Sequence, residues 1–429
     1  MLPGLTESQW RGFVHSFPAL PTLRMEYDRL HRYAVEGVPP PKPPDPASFS
    51  VQRARALNPA LVAFHVGKRL KAGRYVVLPS ASLPEVRAHF PIHGNGAHHA
   101  PKKGSSEGRF CVDASNADNP TAWTPNMDYS REDADELYGA YSDPDTPAAI
   151  RFFFDSGGER GWLIGKSDVK SAFERLPASD ALASITAIVT RDYLALPVAL
   201  PFGHAVCPHA FLNVARVVQA WARTKAPALM KTDDLMVFAA SAAACATALD
   251  LGEEVIRALL GPAAVNAEKR CEPAHQQELL GWRWDTQAMT LALTEAKQAK
   301  ARSLLAALSQ ERVSLETLRS GVGFLRFAAT VVLPCRAALT AFNELLPATQ
   351  RRHRRALVRL PEAAKYAVNP WKLALDNPAL WTLNLSQVTW VPRLHDATAF
   401  HLQTDASLVG GGGELVIGNA RYAAGWLWP

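Results

Sequence analysis

Apolar positions along this chain recur at two spacings, and the switches between them mark out its elements. Residues 1–36 alternate short apolar and polar stretches and predict weak helices. The run VPPPKPPDP (Val38 to Pro46) favours extended polyproline II and reads as a linker. A helix is predicted from about Pro59 to Gly73. The segment HFPIHGNGAHHAPKKGSSEGRFCVDASNADNP predicts a hairpin with an open tip. GWLIGKSDVKSAFERLP reads as an apolar strand, a charged turn and a short helix. LPFGHAVCPHAFLNVARVVQAWART is a turn followed by an amphipathic helix, with Phe211, Val214, Ala215 and Val218 on its apolar face. Two apolar strands flank Lys231 to Asp234, and SAAACATALDLGEEVIRALL is helical. HQQELLGWRWDTQAMTLALT predicts a hairpin with Trp282 and Trp284 on one face. From Glu295 to about Trp381 the pattern is mostly helical, and the last stretch returns to strand around a glycine-rich turn.

One position breaks the pattern. Asp233 and Asp234 stand side by side where the chain is entering an apolar region, and an unpaired buried carboxylate costs several kcal/mol. A hairpin with both carboxylates in water accounts for them. So does a divalent cation with hard oxygen ligands. The second account needs a third carboxylate, and Asp168 supplies one at the end of another apolar strand. Taken alone, Asp168 also reads as a helix N-cap.

Composition narrows the class. The 429 residues suffice for two or three packed subdomains, and 48% hydrophobic with 20% charged residues describes a globular rather than a disordered chain. A net charge of +6 permits a polyanionic partner without requiring one. The five cysteines form no CxxC pair and read as reduced thiols, which points to the cytoplasm or nucleus of a cell rather than to secretion. The N-terminus lacks the pattern of a signal peptide, and no apolar run is long enough for a membrane span. His89, His93, His98 and His99 cluster without paired cysteines, so a solvated loop is favoured there over a zinc site. Gln350 to Arg359 reads as a basic helix end, either a solvated face or a contact for duplex phosphates.

The order of these motifs resembles the palm of reverse transcriptases. Asp168 with Phe173 matches D-x-x-x-[AG]-[FY], LPFGHAVCPHAF matches LPFG-x-x-x-x-P-x-x-F, and the Asp233–Asp234 pair matches [YF]-x-D-D. APKKGSSEGRFCVDAS resembles the fingers motif, with Lys102, Arg109 and Asp113, and NAEKRCEPAHQQELLG the motif that follows the palm aspartates, with Lys269, Leu280 and Gly281. GVGFLRFAATVVLPCRAAL is similar to thumb helices, and LQTDAS, with Asp405, to the first strand of a retroelement ribonuclease H. The flavour is that of DIRS-like retrotransposon polyproteins.

The resemblance implies an α+β fold of the polymerase right hand, with fingers, palm, thumb and an antiparallel palm sheet. It divides the chain into an N-terminal segment and linker (1–50), fingers and palm (51–295), a helical thumb or connection (296–385) and a partial ribonuclease H-like strand segment (386–429). The implied activity is RNA-directed DNA polymerisation, a nucleotidyl transfer from a dNTP to a primer 3′-hydroxyl on an RNA or DNA template. Asp168, Asp233 and Asp234 would hold two Mg²⁺ ions, or Mn²⁺ in their place. Lys269 would protonate the pyrophosphate, and Lys102 and Arg109 would meet the triphosphate. Phe173 would abut the sugar, with Phe202 and Gly203 beneath the nucleotide. After Asp405 the only acidic residue is Glu414, so the nuclease is expected to be a truncated start without activity. The alternative is a catalytically impaired relic, or a domesticated protein, that only binds nucleic acid. The family aromatic of [YF]-x-D-D is here Lys231, whose ammonium could reach a primer phosphate or pair with Asp233 or Asp234; the period of two along a strand favours the second.

Overall fold

The computed structural model describes residues 4–50, 59–102, 105–115, 123–332, 335–346, 356–387, 400–406, 410–417 and 420–427. They fall into two compact units, Met1–Leu383 and Asn384–Pro429.

The first unit opens with α1 (Glu7–Ser16), α2 (Arg24–Glu36) and α3 (Pro59–Lys71). Then come β1 (Tyr75–Pro79), α4 (Leu83–His89), β2 (Gly94–Lys102) and β3 (Ser105–Asp113). α5 (Arg131–Tyr138) and α6 (Thr146–Asp155) lead to β4 (Leu163–Asp168); α7 (Asp180–Ile185) leads to β5 (Ala187–Val189) and β6 (Tyr193–Pro197). α8 (Val206–Arg223) precedes the hairpin of β7 (Ala228–Lys231) and β8 (Asp234–Ala239), and α9 (Ala242–Leu260) follows it.

Two sheets organise these elements. A mixed five-stranded sheet runs β1-β6-β5-β2-β3, with β2 and β5 parallel and the other pairs antiparallel. The second, wholly antiparallel, has the order β7-β8-β4-β9, where β9 is Cys271–Ala274. Helices α8 and α9 pack on it. Phe211, Val214, Ala215 and Val218 of α8 are all buried, as the helical spacing predicts. Ser241 starts α9 by accepting the Ala244 N–H at 3.2 Å, and Gly261 ends it in the left-handed region.

Beyond β9, β10 (Gln276–Leu279), β11 (Trp282–Asp285) and β12 (Thr290–Leu293) form a meander that shares a sheet with β15 (Thr382–Asn384). Between β12 and β15 the chain is mostly helical: α10 (Glu295–Leu308), α11 (Leu315–Ala328), α12 (Thr340–Leu345), α13 (Glu362–Tyr366) and α14 (Asn369–Asp376). In the second unit, β16 (Phe400–Ala406), β17 (Gly410–Ile417) and β18 (Ala420–Leu427) form an antiparallel meander. No helix among the described residues is long and apolar enough to cross a membrane.

Four local expectations change. The first 36 residues are not marginal helices. Trp10, Phe13, Tyr27 and Leu30 join the same core as α8 and α9, and this burial supplies what local propensity lacks. The polyproline run is docked at its start: Val38 is buried, its N–H bonds Pro177 O at 2.8 Å, and its carbonyl accepts Ser179 N–H at 3.0 Å. After Asp168 comes a turn with one 3-10 segment (Phe173–Arg175) rather than a helix, so Asp168 caps nothing. Leu357–Arg359, at the end of the basic stretch, is a strand (β14) paired with β13 (Arg312–Ser314), and the rest of that stretch, 350–355, lies outside the described residues. Val358 faces inward between exposed Leu357 and Arg359, the alternation of a strand with one covered face.

Candidate active site

The three aspartates of the sequence analysis meet at one end of the antiparallel sheet. Asp168 is the last residue of β4 and Asp234 the first of β8, and they are direct cross-strand partners. Asp233 precedes Asp234 in the two-residue turn from Lys231, and its carbonyl accepts the Val169 N–H at 2.9 Å. Like charges set opposite each other on a ladder repel. The cost is visible at Asp233, whose carboxyl is pushed up to about 6, by burial first and then by the negative charges of Asp234 and Asp168.

Lysines answer part of this charge. Asp168 is buried, and both its oxygens are held: Lys269 Nζ lies 2.8 Å from Oδ1, and Asn266 Nδ2 donates to Oδ2 at 3.0 Å. Lys269 ends the short 3-10 turn Ala267–Lys269, and its side chain is 49% exposed. Lys166 Nζ lies 3.2 Å from Asp234 Oδ1. Strand alternation explains this side of β4: Lys166 and Asp168 share a face, while Ser167 points the other way and donates to the buried Glu253 at 2.8 Å. Sequence reasoning missed Lys166, although its spacing from Asp168 is a usable signal. It also missed Asn266, for which proximity to Lys269 in sequence is the only hint.

Lys231 does not join the aspartates. Its ammonium lies 2.9 Å from Asp143 Oδ2 and donates to Pro144 O at 2.9 Å. The expectation failed because β7 stops at Lys231. Thr232, at φ +49°, turns the chain before Asp233, so the period of two does not carry across.

The remaining candidates are spread around this end. The ring of Phe173 is 5.0 Å from Phe202 and 6.0 Å from Phe211, forming a partly buried aromatic cluster beside the turn after Asp168. Gly203 sits at φ +109°, where a Cβ would collide with the Val112 carbonyl, and the adjacent Phe202 carbonyl accepts Val112 N–H at 2.7 Å. Its lack of a side chain thus seats this turn against β3. Lys102 and Arg109 lie in the β2–β3 hairpin, where Arg109 is opposite Ala100; their side chains fall outside the described residues. Asp405 is opposite Gly412 in the second unit.

The histidines do not share one loop: His89 is exposed at the end of α4, and His93 is not solvated. His93 is buried against Phe49 and Trp123, accepts the Ser50 N–H at 3.3 Å through Nδ1, and is driven down to about 4 by desolvation. His98 and His99 lie in β2.

Among the described residues no set of three or more His, Cys, Asp and Glu side chains stands arranged to hold a metal ion. The donor chemistry of the aspartates nevertheless fits a hard divalent cation. They offer carboxylate oxygens at the ends of two adjacent strands and in the turn beside them, and at Asp233 burial first, then the charges of Asp234 and Asp168, raise the carboxyl. A cation there would compete with Lys269 and Lys166 for the oxygens these lysines now hold.

No family model matches the chain, and no curated protein does. Solved structures do. The foamy viral protease-reverse transcriptase dRH in complex with double-stranded DNA matches at a TM-score of 0.54 and 13% identity, over 100% of this chain and 69% of that one. The foamy viral protease-reverse transcriptase with an RNA/DNA hybrid gives 0.53 and 14%, over 99% of this chain and 52% of that one. Its complex with double-stranded DNA gives 0.51 and 14%, over 100% and 82%. The fold is that of reverse transcriptases.

Proposed function

We propose that the chain is an RNA-directed DNA polymerase domain of a retroelement, DIRS-like in its motifs, that extends a primer by nucleotidyl transfer from dNTPs. The observation that carries this reading is the meeting of Asp168 with Asp233 and Asp234 at the end of an antiparallel sheet within a reverse-transcriptase fold. Asp168, Asp233 and Asp234 would hold Mg²⁺ ions, or Mn²⁺ in their place, and such ions would supply positive charge to the attacking 3′-oxygen and to the leaving pyrophosphate.

The chain's own groups do the rest. The exposed stem of Lys269 lets its ammonium leave Asp168 and hand a proton to the departing pyrophosphate. Lys102 and Arg109 bring cationic donors to the triphosphate. Phe173, backed by Phe202 and Phe211, presents a ring edge to the sugar and excludes a 2′-hydroxyl. Asp405 belongs to a ribonuclease H-like strand segment. RNA or DNA template–primer and dNTPs are the partners.

One observation favours the rival reading, a binding protein without activity: Lys269 and Lys166 already hold Asp168 and Asp234. Primer extension separates the two. Purified chain given a labelled DNA primer on an RNA template, dNTPs and Mg²⁺ is expected to lengthen the primer. Tight duplex binding with no extension at any Mg²⁺ or Mn²⁺ concentration would establish the rival.

A further inference from the structure

The turn that carries the aspartate pair is held by a residue outside every motif of the sequence analysis. Asp143 Oδ1 accepts the Thr232 N–H at 2.9 Å, and both its oxygens lie 3.3 Å from Thr232 Oγ1. Oδ2 takes the Lys231 ammonium at 2.9 Å, and the Asp143 side chain is only 11% exposed. One carboxylate therefore grips two consecutive residues, the last of β7 and the first of the two-residue turn. A β-branched residue at positive φ is costly, and it persists where its surroundings over-determine it.

The grip is itself anchored. Asp143 sits in the bridge between α5 and α6, which is tied along its length. His209 Nε2 lies 2.6 Å from Gly139 O, Arg216 bonds Ala140 O, Tyr141 N–H donates to Asp135 at 2.8 Å, and Arg131 donates to Tyr141 O at 3.1 Å. Downstream, Asp145 caps α6 through the Ala148 N–H at 2.9 Å. Asp143 is thus presented to the turn from a fixed position.

What the grip prevents follows from the ladder. Lys231 is the direct cross-strand partner of Asp234, so an unanchored ammonium has a carboxylate of the site within reach of its four-carbon stem. We infer that Asp143 is a positioning residue for the proposed metal site: it fixes the Thr232 turn and diverts Lys231 away from Asp233 and Asp234, leaving their oxygens for divalent cations. The inference rests on the polymerase reading for the use of those cations, but not for their binding.

The test compares the wild-type chain, Asp143→Ala, Lys231→Ala and the double variant. Three quantities are measured: the Mg²⁺ concentration for half-maximal extension, Mn²⁺ binding without nucleic acid by the electron paramagnetic resonance of the free ion, and duplex affinity by fluorescence anisotropy. Asp143→Ala is expected to raise the Mg²⁺ requirement and weaken Mn²⁺ binding by about tenfold, since the freed lysine competes through charge-assisted bonds, with duplex affinity changed by less than about twofold. The double variant should recover most of the loss, because the competing ammonium is gone; a purely structural role of Asp143 would not be rescued by a second deletion. A double variant no better than Asp143→Ala, or an Asp143→Ala chain that binds Mn²⁺ like wild type, overturns the inference. If the wild type extends nothing yet the Mn²⁺ series keeps this order, the polymerase reading fails and the positioning role stands.

Discussion

Two tight hairpins of this chain reach positive φ by opposite means. At the β10–β11 turn, Leu280 and Gly281 both adopt positive φ, +53° and +81°, the mirror-image turn that suits strand twist. Its support centres on a buried ring. Trp282 is fully buried and stacks on Phe327 at 4.5 Å, while its indole N–H donates to Thr146 at 3.0 Å and Lys297 donates to Gly281 O at 2.6 Å. At the β7–β8 turn, only Thr232 is positive, the four residues are partly exposed, and the support is polar: the Asp143 carboxylate on a neighbouring loop and the Val169 N–H on the Asp233 carbonyl. The first hairpin is held by burial and belongs to the stability of the fold. The second spends backbone strain and like-charge repulsion on presenting two carboxylates. Conflicts of this kind are what functional sites show.

Perturbing each hairpin should separate stability from site function. The largest effect on folding is expected from Trp282→Ala, which empties a fully buried site and costs about 3–5 kcal/mol in urea unfolding. Gly281→Ala should cost about 1–2 kcal/mol by straining the left-handed position, whereas Thr232→Gly should stabilise by about 1 kcal/mol while raising the Mg²⁺ needed for extension. Opposite signs at the two turns sharpen the contrast; equal signs break it. Phe173→Ala is expected to leave the fold intact and to shift use towards ribonucleotides by roughly tenfold in an active chain, an unchanged ratio leaving Phe173 as core.

The smallest effect is one of pH. Asp233 titrates near 6 in the fold and near 3.8 when unfolded, so the folded state binds the extra proton between these values. Stability should therefore rise as pH falls from about 6 towards 4, as protonation removes the cost of a buried charge first and then the repulsion from Asp234 and Asp168. Urea unfolding of Asp233→Asn should lack this component, and an identical pH dependence in the two chains would show that Asp233 is not strained.

Much of the site was legible because its signals were local. A strand ending in Asp168, a turn bearing Asp233 and Asp234, and the buried face of α8 all follow from spacing along one segment. The relation of Lys166 to Asp168 was equally available, one period of two along a strand. Asp143 was not, because it reaches Lys231 across 88 residues of sequence from a loop with no motif. Lys231 itself misled because strand periodicity ends where the turn begins. The N-terminal helices looked marginal since their stability comes from Phe13, Tyr27 and Leu30 meeting α8 and α9, which no local pattern reveals. His93 read as solvated for the same reason, its burial being supplied by Phe49 and Trp123.

The central claim is that Asp168 and the Asp233–Asp234 turn form one metal-dependent catalytic centre. Single-turnover extension by Asp168→Asn, measured beside wild type at saturating Mg²⁺ with duplex affinity and unfolding followed on the same samples, addresses it most directly. The account predicts a loss of at least about a hundredfold, equivalent to about 2.7 kcal/mol of transition-state stabilisation, with duplex binding and stability preserved. Extension at the wild-type rate by a folded, duplex-bound Asp168→Asn chain would contradict it.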